Sequence, residues 1–599
     1  MADEADTETR QMPVLGIPPR NAAQWRGDIL IAASISALAF ALYIVPSVLY
    51  RPLFETPETR IAEVAREMLQ SGNYVLPTVG GHPRLTKPPL PYWLTALTAR
   101  VIGGDNHSEH VMTRAVQLPS ALLSAIAVFL MVLYGGTIGG RAAGVIAGLI
   151  LGISMFVCHY AHLGYGDTIL MATTAAMICA AAWMLCVPHA GVFAAFGFGV
   201  ALGLAVLTKG HLAPAFLAGP LLIESLIRRA FNIRKVMLFA MGLVVAVCIA
   251  GPWFYLVEAQ HPGALQVMTG KAGDIVNKGS HDHDLGFYFY KLAGGMLPWT
   301  PVLLFAWPIF LLKRRIPRSP DEPNPHQVLN EHLRFLSIAF VLGFLILMYP
   351  RGSQDYYLLP LLPMLALASG LMLSRFKFSG GEAEEKLAWS QWGFGIVLGL
   401  LIMAMPLLKG AAASGVDPIS GLIAKTNGLL GWSLIPIGLA VIVVFLFCAR
   451  QWAEGKALQA TAVLGVLGFG AMMFWTFHWT AKQQEFVIAH EAPKIREQLA
   501  ALEPDVTVYS AVRGESGSTL VFYLEHPIEP LSKLRAEVAA TPGKTLVPGK
   551  RALVGDRERL TALQLTNYLP PAGEDMVVIT KLEDAEWQRI SANAVEPTE

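Results

Sequence analysis

The sequence predicts an all-α polytopic membrane protein with about thirteen transmembrane helices, followed by a small C-terminal α/β domain. Of its 599 residues, 54% are hydrophobic and only 15% are charged, whereas soluble domains carry about 25% charged residues. Apolar runs of about 20 residues, the length that a spanning helix needs, recur throughout 28–479. The composition of 480–599 then changes to a soluble pattern. The net charge of +1 indicates no nucleic-acid partner.

The number and the direction of the spans follow from the apolar runs and from the loops between them. Loops after even-numbered spans are richer in Lys and Arg than the other short loops, so we predict that they are cytoplasmic. The N-terminal segment 1–27 is then cytoplasmic, and the C-terminus lies on the outer side. The predicted spans lie near 28–49, 112–134, 142–159, 168–187, 191–208, 211–227, 236–257, 297–313, 333–350, 356–375, 389–408, 430–449 and 458–479.

This orientation places three non-membrane regions outside the membrane: the loop 50–111, the loop 258–296 and the domain 480–599. In the domain, Val506–Val512 and Thr519–Leu524 have the pattern of strands, and Pro493–Leu502 and Asp584–Ala592 that of helix pieces. Alternating strand and helix signals predict a small α/β fold.

The first outer loop contains two predicted amphipathic helices. Ile61, Val64, Ala65 and Met68 recur at the spacing of one helix face. A second helix is predicted over Pro91–Val101, with Tyr92 and Trp93 near its start. Amphipathic helices with aromatic residues, tied to membrane spans, are expected to lie along the bilayer surface.

Charged residues beside these helices could bind a lipid-linked phosphate and catalyse a reaction on it. Arg60, Arg84 and Lys87 could bind such a phosphate, which gains charge when it leaves. Glu55 or Glu58 could act as the general base toward an acceptor hydroxyl. The alternative is that these charges form only a solvated surface at the membrane interface.

Further candidates lie where predicted spans meet the outer surface. Asp167 begins the fourth span, where an acidic residue is either functional or a helix N-cap. Lys209 either joins the site or only extends its ammonium to the interface. Arg351 and Tyr357 stand around the start of the tenth span; Arg351 could meet the same phosphate or anchor the helix.

Metal chemistry is indicated weakly. His281 and His283, flanked by Asp282 and Asp284, could bind a divalent cation, although two histidines in a polar loop are more often only hydrated. The five cysteines lie in or beside apolar runs and form no metal-binding pattern. Apart from this possible divalent metal, no cofactor is predicted.

Several motifs in order resemble the bacterial glycosyltransferase family 83, which includes the lipid A aminoarabinose transferase and is related to the protein O-mannosyltransferases. The resemblance covers roughly 28–375. Its motifs are Glu58–Met68, Leu85–Trp93, Tyr165–Thr168, Leu207–Gly210, Gly251–Tyr255, Leu297–Trp299 and Tyr356–Pro360.

The resemblance implies a GT-C membrane fold in the bacterial inner membrane. It also implies an inverting transfer of a sugar from undecaprenyl phosphate to a lipid, glycan or protein acceptor on the outer face. By position, Arg60 and Lys87 match basic residues near the carrier phosphate, and Asp167 matches an acidic residue at the head of the fourth span.

Three positions depart from the family pattern. Pro57 stands where relatives have Asp, which leaves Glu58 or the nearby Glu55 as the carboxylate. Thr86 replaces a Glu that is associated with a bound metal in the lipid A enzyme, and Ser353–Gln354 replaces a Lys-Arg pair. These departures favour an acceptor other than lipid A.

Two other classes of function compete with a transferase. A transporter or lipid flippase fits the span count, but its site is expected near the membrane midplane, whereas the charges here cluster in outer loops. An assembly protein with inactive membrane helices is the third hypothesis, favoured by the missing Asp at position 57.

Overall fold

The structure is a computed structural model. Its membrane part describes residues 21–49, 51–53, 56–187, 191–210, 233–270, 286–304, 307, 327–348, 354–374, 382–412, 434–454 and 456–483. The C-terminal part describes residues 487–502, 506–511, 517–531, 551–556 and 576–580, with further single positions between them.

Apolar helices dominate the membrane part and confirm the predicted fold class. Within the described ranges, seven helices are long and apolar enough to cross a membrane, and a bent pair adds an eighth. The seven are Ala22–Val48, Glu109–Gly139, Gly166–Cys186, Val192–Lys209, Ile233–Gln260, Val328–Met348 and Asp355–Leu373. Three further helices with shorter apolar stretches are Glu382–Ala412, Leu434–Ala453 and Ala457–Gln483. The predicted span 211–227 and most of 297–313 lie outside the described residues, so the total of thirteen stays a prediction.

The third predicted span, 142–159, is broken rather than continuous. Arg141–Gly152 and Met155–Ala161 meet at an angle of 58°. The backbone groups freed at the break have partners: the Tyr43 hydroxyl donates to the Gly152 carbonyl at 2.7 Å, and the Met155 N–H donates to the Leu297 carbonyl at 3.0 Å. Such replacement partners are what allow a break inside a membrane.

Both predicted amphipathic helices of the first outer loop, called the surface helices here, are present; their position along the bilayer stays a prediction. They span Thr56–Ser71 and Leu90–Gly103. The apolar face of the first is buried, with Val64 and Ala65 fully covered. Between the helices, the short strands Thr78–Val79 and His82–Pro83 pair antiparallel. Gly80 and Gly81 turn the hairpin with φ of 59° and 77°, values that glycine adopts without steric cost.

The C-terminal domain is a small α/β unit. Its sheet has four strands, in the spatial order Glu529–Pro530, Thr507–Ala511, Arg551–Asp556 and Met576–Ile579. The first three are parallel and the last is antiparallel to its neighbour. The helix Val487–Ala500 agrees with the predicted helix 493–502, whereas most of 584–592 lies outside the described residues.

The strand predicted over Thr519–Leu524 is wrong, because this segment belongs to the helix Gly517–Leu524. All six residues are 5% exposed or less. A short apolar run that is buried on every side carries no periodicity that distinguishes a strand from a helix.

This helix packs on the first outer loop. The Tyr523 hydroxyl donates to the Leu53 carbonyl at 2.8 Å, and the hydroxyls of Thr59 and Thr519 lie 3.0 Å apart. Arg66 donates to the carbonyl of residue 522 at 3.1 Å, near the helix C-terminus, where a cation is favourable. The domain is therefore docked directly on the loop that carries the predicted charged residues.

Candidate functional site

The segment that carries Arg84 and Lys87 is held in place by the carboxylate of Glu67. The N–H of Gly80 donates to Glu67 Oε1 at 2.5 Å, and the Thr78 hydroxyl donates to Oε2. The Arg84 N–H closes the base of the hairpin on the Pro77 carbonyl at 2.7 Å. Glu67, which lies on the first surface helix, thus fixes the position of the hairpin that precedes the 84–89 segment.

The other end of this segment is packed against two membrane helices. Pro91 lies against Gly166, where an added Cβ would come within 3.3 Å of the proline ring. Pro88 approaches Gly210, which ends the helix Val192–Lys209 with φ of 63°. Lys87 is thereby brought to the N-terminal end of the helix that carries Asp167 and the C-terminal end of the helix that carries Lys209.

Asp167 and Lys209 form a salt bridge whose two side chains are 3% and 11% exposed. The purely structural alternatives, an N-cap for Asp167 and an interfacial ammonium for Lys209, therefore do not describe these residues. The N-cap of the helix is Tyr165, not Asp167, and the ammonium of Lys209 does not extend into bulk water. The same ammonium lies 4.0 Å from the ring centroid of Tyr357, within the range of a cation–π contact.

Lys87 completes a cluster of positive charge. Its ammonium lies within electrostatic range of Lys209, Arg60 and Arg84, with Asp167 opposing them. Burial, followed by the charge on Lys209, lowers the pKa of Lys87 to about 8. Positive groups held together in a partly buried place repel one another and are stabilised by an anion. An anionic group such as a phosphate would supply that stabilisation.

Tyr92 belongs to the same cluster. It is 2% exposed, and burial raises the pKa of its phenol, while the positive charges of Arg84 and Arg60 act in the opposite direction. From the sequence alone, Tyr92 is predicted only as an aromatic residue of the surface helix.

Glu58 is placed differently from the other predicted residues. Its Oε1 accepts from Arg51 Nη1 at 3.0 Å, and its Oε2 accepts from Arg51 Nη2. Both side chains are 0% exposed. Arg51 was missed by the sequence analysis, although its position just after the first span could have marked it. The pair fixes the start of the surface helix and keeps Glu58 away from solvent.

Six of the predicted site residues are thus brought together, and their roles stay predictions. These six are Arg60, Arg84, Lys87, Asp167, Lys209 and Tyr357. Glu55, Arg351, His281 and His283 lie outside the described residues.

A divalent metal is not supported by the described side chains. In that part of the chain, no three His, Cys, Asp or Glu side chains come together as a metal site would require. Position 86, where the family resemblance implies a metal-associated carboxylate, supplies only the Thr86 hydroxyl. The metal predicted at His281 and His283 stays a prediction.

Comparisons with known proteins agree with this architecture. Residues 86–255 match the family described as dolichyl-phosphate-mannose-protein mannosyltransferase. The crystal structure of ArnT from Cupriavidus metallidurans bound to undecaprenyl phosphate has a TM-score of 0.68 and 21% sequence identity, and the match covers 93% of this chain and 98% of that one.

Two transferases are also similar to this chain in sequence. The undecaprenyl phosphate-alpha-4-amino-4-deoxy-L-arabinose arabinosyl transferase 2 of Proteus mirabilis is 28% identical over 56% of this chain and 59% of its own length. The corresponding transferase of Pectobacterium carotovorum is 26% identical over 82% of this chain and 84% of its own length.

The fold and the comparisons define a multi-pass membrane protein with a GT-C fold, as the sequence predicted. The chain is similar in sequence to bacterial aminoarabinose transferases, and part of it is similar to the protein mannosyltransferases. The competing hypothesis of a transporter or flippase is not supported.

Proposed function

We propose that this protein transfers a sugar from a polyprenyl phosphate carrier, of the undecaprenyl type, to an acceptor outside the cytoplasm. The cation cluster of Arg60, Arg84, Lys87 and Lys209 beside Asp167 is the observation that carries the proposal. It lies where the two helices of the first outer loop meet the ends of the membrane helices Gly166–Cys186 and Val192–Lys209. The names of the relatives support this donor.

In this reaction the bond between the sugar carbon and the phosphate oxygen breaks, and the acceptor oxygen attacks from the opposite face of the ring. The transfer inverts the configuration, and the departing phosphate gains negative charge. Fixed cations stabilise that charge without having to reorganise. Lys87 and Arg60 contribute directly, and the salt bridge with Asp167 holds the Lys209 ammonium in place.

The acceptor must lose a proton during the attack. Glu58 has both carboxylate oxygens on Arg51, so in this proposal it positions the loop. Glu55, three residues earlier, remains the candidate general base.

The acceptor class is a lipid, glycan or protein. Thr86 and Pro57 stand where the lipid A enzyme carries carboxylates in the family pattern, which favours an acceptor other than lipid A. The protein is placed in the bacterial inner membrane, with its N-terminus in the cytoplasm and the C-terminal domain outside, because the Lys-rich and Arg-rich short loops then face the cytoplasm.

The proposal is tested by transfer of radiolabelled sugar from polyprenyl phosphate donors in membranes. We expect Lys87→Ala to lower transfer about 100-fold, as the loss of one group that stabilises the transition state typically does, and Lys87→Arg to retain part of the activity. Arg100→Ala, whose side chain is 61% exposed on the same loop, is the control. Glu55→Ala is expected to abolish transfer more completely than Glu58→Gln.

Two results would overturn the proposal. One is a Lys87→Ala variant as active as the wild type, at equal amounts of folded protein. The other is no transfer from any carrier-linked sugar together with a flux of solute across the membrane, which would favour a transporter.

A further inference from the structure

A second polar group lies beside the cation cluster and is not used by the proposed transfer. Asp355 Oδ2 accepts from the Lys291 ammonium at 2.9 Å, and its Oδ1 accepts from the Tyr160 hydroxyl at 2.6 Å. We call these three residues the Asp355 trio. They come from three separate elements: the start of Asp355–Leu361, the helix Phe287–Gly295 and the outer half of the broken span.

The trio can be reached from outside. The side chain of Lys291 is 34% exposed and that of Asp355 is 24% exposed, whereas Tyr160 is buried at 6%. A partly exposed pair leaves the carboxylate and the ammonium available to a ligand.

Tyrosine side chains connect the trio to the cation cluster. The ring centroid of Tyr356 lies 6.0 Å from that of Tyr160, 5.0 Å from that of Tyr165 and 5.0 Å from that of Tyr357. Tyr357 in turn holds the Lys209 ammonium 4.0 Å from its ring. Asp355 and Tyr357 are two residues apart, so their Cα atoms are separated by at most about 7 Å. That span is comparable to the width of one sugar ring.

The chemistry of the trio differs from that of the cation cluster. The charges of Asp355 and Lys291 cancel, so the trio offers no net attraction to a second phosphate. A carboxylate has about four acceptor positions and an ammonium three donors, and the described contacts use two of the former and one of the latter. The remaining acceptor positions of Asp355 and donors of Lys291 could bind a ligand with several hydroxyl or amino groups.

We propose that the Asp355 trio binds the sugar ring of the carrier-linked donor, with a hydroxyl or amino group of the sugar donating to Asp355. This assignment rests on the proposed function, because it takes the phosphate to lie at Lys87 and Lys209. Asp355 and Lys291 then determine which sugar is accepted, whereas the cation cluster binds any carrier of the same phosphate.

The test compares the affinity of the full-length protein in nanodiscs for two kinds of probe. One is bare polyprenyl phosphate, and the other is polyprenyl phosphate linked to a neutral pentose, a hexose or an amino-pentose. The wild type is expected to bind at least one sugar-linked probe more tightly than the bare carrier. Asp355→Asn is expected to lower that preference about tenfold, as the loss of a hydrogen bond to a charged group does, without changing the affinity for the bare carrier.

Two further variants separate recognition from structural support. Lys291→Gln is expected to alter which sugar is preferred, again with unchanged binding of the bare carrier. Tyr134→Phe removes a hydroxyl that lies 2.9 Å from His332 Nε2, away from the trio, and is expected to leave both affinities unchanged.

The inference is overturned if Asp355→Asn weakens both probes equally, since that marks a structural role, or if the wild type prefers no sugar-linked probe. Binding of the bare carrier reports separately on the proposed function. If the wild type does not bind it, or if Lys87→Ala binds it as well as the wild type, the proposed function itself fails.

Discussion

Raising the pH from 7 to 9 is expected to weaken the binding of polyprenyl phosphate by up to about tenfold. The reason is the lowered pKa of Lys87, which burial and the charge of Lys209 bring to about 8. The protonated ammonium is the form that attracts the phosphate, so the affinity is full below this pKa and falls as the pH rises through it. With a pKa of about 8, the protonated form makes up roughly 90% of the protein at pH 7 and roughly 10% at pH 9, and the apparent affinity declines with that fraction.

The ligand itself contributes little to this change. The second ionisation of a phosphate monoester has a pKa of about 6, so the carrier is largely ionised throughout the range. The measurement is a binding isotherm of bare polyprenyl phosphate to the protein in nanodiscs at constant ionic strength. Constant salt is required because screening changes with it.

Lys87→Arg provides the matched comparison, because a guanidinium remains protonated across this range. The variant is expected to bind with a flat pH profile between 7 and 9, even if its affinity at pH 7 is lower. Lys456→Arg, at an exposed lysine that pairs with Glu454, is expected to keep the wild-type profile. The reasoning is refuted if the wild-type profile is flat, or if Lys87→Arg falls in parallel with it.

Three further predictions concern the contacts that hold the site in place. Arg51→Met removes the guanidinium that donates to both oxygens of the buried Glu58 carboxylate and is expected to cost about 3–5 kcal/mol of stability. The loss is seen as a lower Tm in detergent, which Arg51→Met combined with Glu58→Gln restores in part. Glu67→Gln weakens the hold on the 78–83 hairpin, so carrier binding measured by titration falls several-fold while its pH profile keeps its shape. Tyr523→Phe leaves the Leu53 carbonyl without its donor, at a cost of about 1–3 kcal/mol, and limited proteolysis then cuts the C-terminal domain faster.

For each of these three predictions, one result would contradict it. A double variant at 51 and 58 no more stable than Arg51→Met would show that the charge of Glu58 is not what destabilises the fold. Unchanged carrier affinity in Glu67→Gln would separate the hairpin from the cation cluster. Unchanged proteolysis of Tyr523→Phe would mean that the domain is docked by other contacts.

Most of the fold could be predicted because it depends on local patterns. The length of an apolar run indicates a span, and the spacing of Ile61, Val64 and Met68 indicates a surface helix; both are confirmed. Two features depend on packing and could not be predicted. The break after Gly152 requires partners from Tyr43 and from residue 297, far along the chain, and the buried helix at 519–524 lacks a distinguishing period.

The site could be predicted in part for the same reason. Charged residues next to apolar runs stand out in a sequence, and the cluster around Lys87 was assembled from such residues. The pairings between these side chains could not be predicted, because they depend on how the chain folds. Arg51 binds Glu58 seven residues later, and Asp355 meets Lys291 and Tyr160 only because three elements converge.

The most direct test of the account is a cryo-EM structure of the full-length protein with polyprenyl phosphate bound in a nanodisc. We expect a phosphate oxygen within about 3 Å of Lys87 Nζ, the distance of a charge-assisted hydrogen bond, with Arg60 and the Asp167–Lys209 pair around it. A phosphate bound elsewhere, with Lys87 and Arg60 turned to bulk water, would contradict it.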